Sequence, residues 1–329
     1  MALQESVKAG QLVLPGPQPE LGLGPRLSRW LDQERVLGYV LLGPATLLLL
    51  LFVAYPFFFG VYVSLTNARI GRPGTFIGLE NFVSLLEDPI FRQTVANSFS
   101  YTIVTTIFKL VLGMGMAVLL NKAFPLKRFV RAAVLLPWII PTVLSTLAWL
   151  WMFDSTYSVL NWILAQVFHV QGPIWLSDRL TIRSGDTTVL RTTWPMIAIM
   201  LVNIWRGTPF YGISFLAGMQ TIPQELYEAA IVDGASPWQR FWSVTLPLLR
   251  HVISIVMLLS IILTLADFQI VYILTRGGPA NSTHLFATYA FQVAVPSTDL
   301  GAGAAISLYM FPALAVVVFL TLLSLRRED

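Results

Sequence analysis

Apolar residues in this chain fall into six long runs, at roughly 39–65, 96–120, 130–153, 195–218, 252–274 and 303–325. Each is long enough to cross a hydrocarbon core of about 30 Å as a helix. A helix meets its backbone hydrogen bonds internally, as lipid demands. The predicted fold class is an all-α membrane protein with six transmembrane helices. Three polar connections are long. In the first, 66–92, the apolar residues of Ile77–Leu86 recur at helical spacing and predict a short helix lying on the membrane surface. The second, 154–191, predicts a short helix at Asn161–Val170, with Trp162, Trp175 and Trp194 as interfacial anchors. The third is 220–250. Residues 1–35 are polar or rich in Pro and Gly and read as a flexible tail with no cleaved leader. The predicted membrane domain is 36–325, with 326–329 as the C-terminus.

Composition supports the membrane reading. The chain is 56% hydrophobic and 12% charged, against about 25% charged in soluble domains. It has no cysteine, which excludes disulfides and thiolate metal sites. His169, His251 and His284 have no ligand spacing, so no metal or cofactor is expected, and no nucleic-acid partner. The distribution of charge orients the chain. Lys8, Arg26, Arg29, Arg35, Lys122, Lys127, Arg128, Arg131, Arg240, Arg250, Arg326 and Arg327 fall on one side, and only Arg69, Arg72, Arg92, Arg179, Arg183, Arg191 and Arg276 on the other. The loop Asn121–Arg131 holds four cations and no acid. By the positive-inside rule both termini are predicted to be cytoplasmic.

Away from their ends, the runs hold three charged residues: Lys109, Arg206 and Asp267. Each costs roughly 2.5–3.5 kcal/mol at a helix centre and needs a cavity or a partner. Arg206 and Asp267 either pair with each other or line a polar path with Asn203, Thr264 and Gln269. Gly207 and Pro209 mark a helix irregularity that can turn backbone carbonyls toward a solute. Lys109 stands more alone, which favours snorkelling or a pair with another subunit. Pro137 and Pro141 loosen the third run. That is either a path-lining device or ordinary tolerance of proline in spans.

The 220–250 connection is too long for a bundle loop. Pro223 suits a helix start, Glu225 and Glu228 favour its positive end, and Asp233-Gly234 ends it. Ser236 caps a second helix with Pro237 in its first turn, predicted to end near Leu246-Pro247. Small Ala229 and Ala230 would let a partner groove approach closely.

Glu228-Ala229-Ala230, Gly234, Val244 and Leu246-Pro247 resemble the coupling-loop pattern of permease subunits in binding-protein-dependent ATP-binding-cassette (ABC) importers. Asp267-Phe268, Leu274-Thr275-Arg276-Gly277-Gly278-Pro279 and Thr283 resemble the end of span five in carbohydrate importers of the maltose and glycerol-phosphate type, in the subunit similar to the larger maltose permease. The resemblance covers about Val36 to Leu325, although Arg250-His251 stand where relatives carry a proline nearby. It implies a type I importer permease fold, with Glu228, Ala229, Ala230, Asp233 and Gly234 coupling to an ATPase. It also implies a solute path through Asn203, Arg206, Gly207, Phe210, Thr264 and Asp267, with Trp205 and Pro209 in the same motif. The implied partners are a second permease in a pseudo-symmetric heterodimer, two ABC ATPase subunits, an extracytoplasmic solute-binding protein, a sugar-like solute and the lipid bilayer.

The chain has no G-x-x-x-x-G-K-[ST] loop, so it is not expected to be an enzyme, and ATP work falls to a separate subunit. The expected function is ATP-driven import of a sugar or polyol by alternating access. The alternatives are an ion-coupled secondary transporter using Asp267 and Lys109, and an ABC permease for a non-sugar solute. Protease and hydrolase motifs are missing from the spans, which argues against an intramembrane enzyme.

Overall fold

The structure, a computed structural model, describes residues 34–184 and 187–326. The expected tail and C-terminus therefore lie almost wholly outside the described residues. The chain divides into two compact units, Met1–Phe59 and Gly60–Asp329.

In the first unit, helix α1 (Glu34–Leu49) passes through a π turn, Leu50–Ala54, into α2 (Tyr55–Ser64), whose last turns belong to the second unit. The π turn stands just before Pro56. Proline has no N–H, and its ring collides with the carbonyl four residues back. The wider turn, closed by Tyr55 N–H on Leu50 O, moves that carbonyl aside and lets the helix continue.

The second unit begins with a surface helix, α3 (Glu80–Glu87), close to the amphipathic stretch expected there. Asp88 caps the 33-residue α4 (Pro89–Asn121), accepting the Ile90 N–H at 2.8 Å. The third run is broken into α5 (Lys127–Val134), α6 (Leu136–Ile139) and α7 (Thr142–Met152), with a bend of 89°. Pro141 excludes the residue before it from helical geometry, and Ile140 is extended at ψ 133°. A ten-residue α8 (Val159–Phe168) follows, near the helix expected at 161–170. An antiparallel hairpin, β1 (Arg179–Ser184) with β2 (Thr187–Thr193), then leads into α9 (Trp194–Met219). The hairpin was not expected from the apolar pattern. Trp175 is not an interfacial anchor: it is buried, and its Nε1 donates to Asn161 Oδ1 at 2.7 Å.

Helices α10 (Gln224–Val232) and α11 (Pro237–Arg240) form the long connection. The second helix does not stop at Leu246-Pro247. It continues through a π turn, Phe241–Thr245, into α12 (Leu246–Leu265), with Leu246 N–H on Phe241 O. This repeats the device before Pro56: a π turn precedes the proline and absorbs its missing donor. The fifth run is not one helix either. It breaks at Ala266–Phe268 before α13 (Gln269–Leu274). Helices α14 (Phe286–Ala294) and α15 (Leu300–Arg326) complete the unit.

Among the described residues, four helical stretches are long and apolar enough to cross a membrane, and the bent pair is a fifth candidate. The 26-residue α9 is also long enough, but Asn203, Arg206 and its prolines dilute its apolar character. It packs closely on α4. A Cβ on Gly113 would stand 2.4 Å from Tyr211 Cβ, and one on Gly212 would stand 2.5 Å from Met116 Sδ. Small residues that let backbones approach are how helices associate in lipid, where the hydrophobic effect gives little drive.

Apolar side chains gather in separate clusters. One contains Tyr101, Val202 and Ile270, and another contains Met114, Tyr211 and Val256. On each of α4, α9 and the α12–α13 segment, the polar residues fall between members of these two clusters. Lys109 lies between Tyr101 and Met114, Asn203 and Arg206 between Val202 and Tyr211, and Thr264 and Asp267 between Val256 and Ile270.

Candidate functional site

Between the two apolar clusters lies a cavity of about 530 Å³. All six residues expected to form a solute path line it: Asn203, Arg206, Gly207, Phe210, Thr264 and Asp267. The break in the fifth run places Asp267 where three donors reach it. Oδ2 accepts the Tyr101 hydroxyl at 2.6 Å and Asn203 Nδ2 at 3.1 Å, and Oδ1 accepts the Ile270 N–H at 3.3 Å. The last contact starts α13, so the carboxylate also serves as a cap.

Lys109 is not isolated, as its sequence context suggested. It is 2% exposed, and Nζ donates to Asn203 Oδ1 at 2.9 Å and to Thr264 Oγ1 at 2.8 Å. Asn203 therefore links Lys109 to Asp267 through its two amide ends. Gly207 makes room for this arrangement: a Cβ there would stand 2.5 Å from Lys109 Cδ.

Arg206 and Asp267 form no ion pair; Asp267 is held by Tyr101, Asn203 and Ile270 instead. Arg206 lies over the Trp138 ring at 5.3 Å, a cation–π contact, and its Nε has no hydrogen-bond partner. Trp138 also stacks on Phe210 at 4.8 Å. Tyr101 and Trp138 were missed from the sequence. Tyr101 was detectable: Thr94, Ser98, Tyr101, Thr105 and Lys109 recur at three- and four-residue spacing, and all are buried on α4. Trp138 reaches the cavity only because of the break after it, which spacing does not encode.

The 220–250 connection places its residues on an exposed helix that is capped at its C-terminus. Gly234, at φ +79°, closes α10 with a Schellman motif: Ala235 N–H reaches Ala230 O at 2.9 Å and Gly234 N–H reaches Ile231 O at 3.0 Å. Glu228, Ala229, Asp233 and Gly234 are exposed and Ala230 is half-buried. Apolar Ile231 and Val232 are exposed beside them, Val232 at 87%. Ser236 and Gln239 form a reciprocal capping box that starts α11. Tyr227 OH and Thr245 Oγ1, 3.0 Å apart, tie α10 to the second π turn.

The Thr275–Thr283 signature has a structural reading. Thr283 Oγ1 bonds Gly278 O at 2.7 Å and contacts Thr275 Oγ1 at 2.8 Å, while Asn97 Nδ2 of α4 holds Ser282 O at 2.9 Å. Gly277, at φ +87°, lies against buried His284, where a Cβ would fall 2.0 Å from the ring. Burial pushes the His284 pKa down to about 4. A depressed histidine adds stability that is complete above its unfolded pKa, near 6.5. That stability is lost as pH falls through the folded value. His284→Gln is therefore expected to flatten the loss of thermal stability between about pH 6.5 and 4. Melting curves across that range check it.

Membrane-length helices that line a charged cavity between apolar clusters fit a membrane permease. Residues 109–328 match the family described as binding-protein-dependent transport system inner membrane component, and the chain belongs to that family. It is 37% identical to the sulfoquinovosyl glycerol transport system permease protein SmoG of Agrobacterium fabrum, over 93% of this chain and 96% of that one. It is 33% identical to the trehalose/maltose transport system permease protein MalF of Thermococcus litoralis, over 90% and 96%. A crystal structure of a bacterial ABC transporter involved in import of the acidic polysaccharide alginate shares the fold. Its TM-score is 0.74 at 21% identity, covering 92% of this chain and 99% of that one. The chain is thus the permease component of an ABC importer, with ATP hydrolysis in a separate subunit.

Proposed function

We propose that this chain carries a sugar or related polyol across the inner membrane by alternating access, receiving it from an extracytoplasmic binding protein. The relatives named above for sulfoquinovosyl glycerol and for trehalose and maltose support the sugar class. The observation that carries the reading is the gathering of all six expected path residues around one cavity. In this reading the protein pairs with a second permease as a pseudo-symmetric heterodimer and binds two ATPase subunits. Glu228, Ala229, Ala230, Asp233 and Gly234 form the ATPase contact, and the exposed Ile231 and Val232 give it an apolar surface. Both termini and the α10–α11 connection are cytoplasmic, in keeping with the basic Asn121–Arg131 loop. Closure of the ATPase pair moves α10, and Tyr227 passes the movement to the second π turn and α12. Solute and ATP then favour different states of one equilibrium.

The test is uptake into proteoliposomes holding the assembled transporter, with sugar-loaded binding protein outside and ATP inside. Uptake that needs both ATP and binding protein supports the reading. Uptake that follows an ion gradient and persists without ATP contradicts it.

A further inference from the structure

One charged group at the cavity, Arg206, has no charged partner among the described residues. Its ionisable lining consists of Lys109, Arg206, Asp267 and Tyr211. Among the described residues, the one lining carboxylate, Asp267, already accepts from Tyr101, Asn203 and Ile270. Lys109 rests on two neutral acceptors, Asn203 Oδ1 and Thr264 Oγ1. Arg206 is half-buried, faces the cavity, leans on the Trp138 ring and leaves its Nε without an acceptor. A guanidinium in such a place presents a planar fork suited to an oxyanion, held in a low-dielectric setting where its field is strong.

We propose that the cavity is built for a sugar carrying one anionic group, a sulfonate, sulfate, phosphate or carboxylate, which binds Arg206 while the sugar ring lies near Trp138 and Phe210. The proposal rests on the sugar reading above. The size of the cavity, about 530 Å³, suits a mono- or disaccharide. Lys109 sits behind Arg206 in the same network, hydrogen-bonded to Asn203 Oδ1 and Thr264 Oγ1, so the exposed cationic feature of the cavity is the Arg206 guanidinium.

The test uses the complete transporter in proteoliposomes and a panel of labelled solutes: sulfoquinovosyl glycerol, glucuronate and glucose 6-phosphate against glucosylglycerol, trehalose and maltose. The expected result is ATP-dependent uptake of at least one anionic sugar, about ten-fold or more above every neutral one, a difference of about 1.4 kcal/mol. Arg206→Gln should erase that preference by raising KM for the anionic solute, and Arg206→Lys should restore part of it. Recovery of assembled complex from each variant separates this from misfolding. Uptake of neutral sugars alone overturns the proposal and leaves the sugar reading intact. An equal fall for charged and neutral solutes in Arg206→Gln also overturns it, marking the guanidinium as a partner for another subunit's carboxylate. If no sugar of the panel is carried, both readings fall together.

Discussion

Replacing Asp267 with alanine should lower solute uptake by about 100-fold or more, which corresponds to roughly 2.7 kcal/mol. The side chain closes three contacts at once, with the Tyr101 hydroxyl, Asn203 Nδ2 and the Ile270 N–H. Hydrogen bonds to a charged acceptor are worth about 1.5–3 kcal/mol each, and leaving buried donors unpaired costs a similar amount. Asn203 would lose its anchor and with it the amide that holds Lys109. The start of α13 would lose its cap. Asp267→Asn keeps an acceptor in the same place and should assemble more fully while still losing most uptake, because Arg206 at the cavity then lacks a counter-charge. Uptake by initial rates, beside recovery of assembled complex, separates these effects. An alanine variant that imports at the native rate would remove Asp267 from the path.

Gly234→Val should reduce ATP-dependent uptake by about ten-fold or more while leaving insertion in place. Gly234 has φ +79°. A β-branched residue there costs about 1–3 kcal/mol in backbone strain. The Schellman bonds from Ala235 and Gly234 to Ala230 and Ile231 would loosen, and with them the end of α10 that carries Glu228–Ala230. No heavy atom lies within 4 Å of the position of a Cβ on Gly234, so the effect is one of conformation and of surface offered to a partner, and internal packing is unaffected. Co-purification of the ATPase should fall in step with uptake. Retained co-purification together with native uptake would place the ATPase contact elsewhere.

Much of this arrangement was legible in the sequence because lipid punishes exceptions. Charges cannot be scattered along membrane helices without a purpose, so Arg206 and Asp267 call for either a pair with each other or a shared polar path. The capping of α10 and α11 was equally readable, since Gly234 and Ser236-Pro237 obey local rules that need no tertiary context. What stayed hidden depends on packing at a distance. Lys109 looked isolated because its partners, Asn203 and Thr264, are 94 and 155 residues away. The break at Ala266–Phe268 has no proline or glycine to announce it; the carboxylate of Asp267 itself caps the restart. The π turn before Pro247 stayed hidden because the helix was expected to end near Leu246-Pro247, and nothing in the apolar run 39–65 marks the one before Pro56; both wider turns absorb the missing donor. The hairpin of β1 and β2 was marked by the alternation of Leu180 and Ile182 with polar residues and by Ser184-Gly185-Asp186, a signal overlooked beside the long apolar runs.

We propose that α10 controls access to the charged cavity. The chain has no cysteine, so a single thiol can report on it. Ser260 lines the cavity and is buried. In the assembled transporter, with partner subunits made cysteine-free, the rate at which a membrane-impermeant thiol reagent modifies Ser260→Cys should change by about ten-fold or more on binding a non-hydrolysable ATP analogue. The same nucleotide should have no effect when Gly234→Val is also present. A labelling rate indifferent to nucleotide, or one that responds equally with Gly234→Val, would show that α10 does not control access to the cavity.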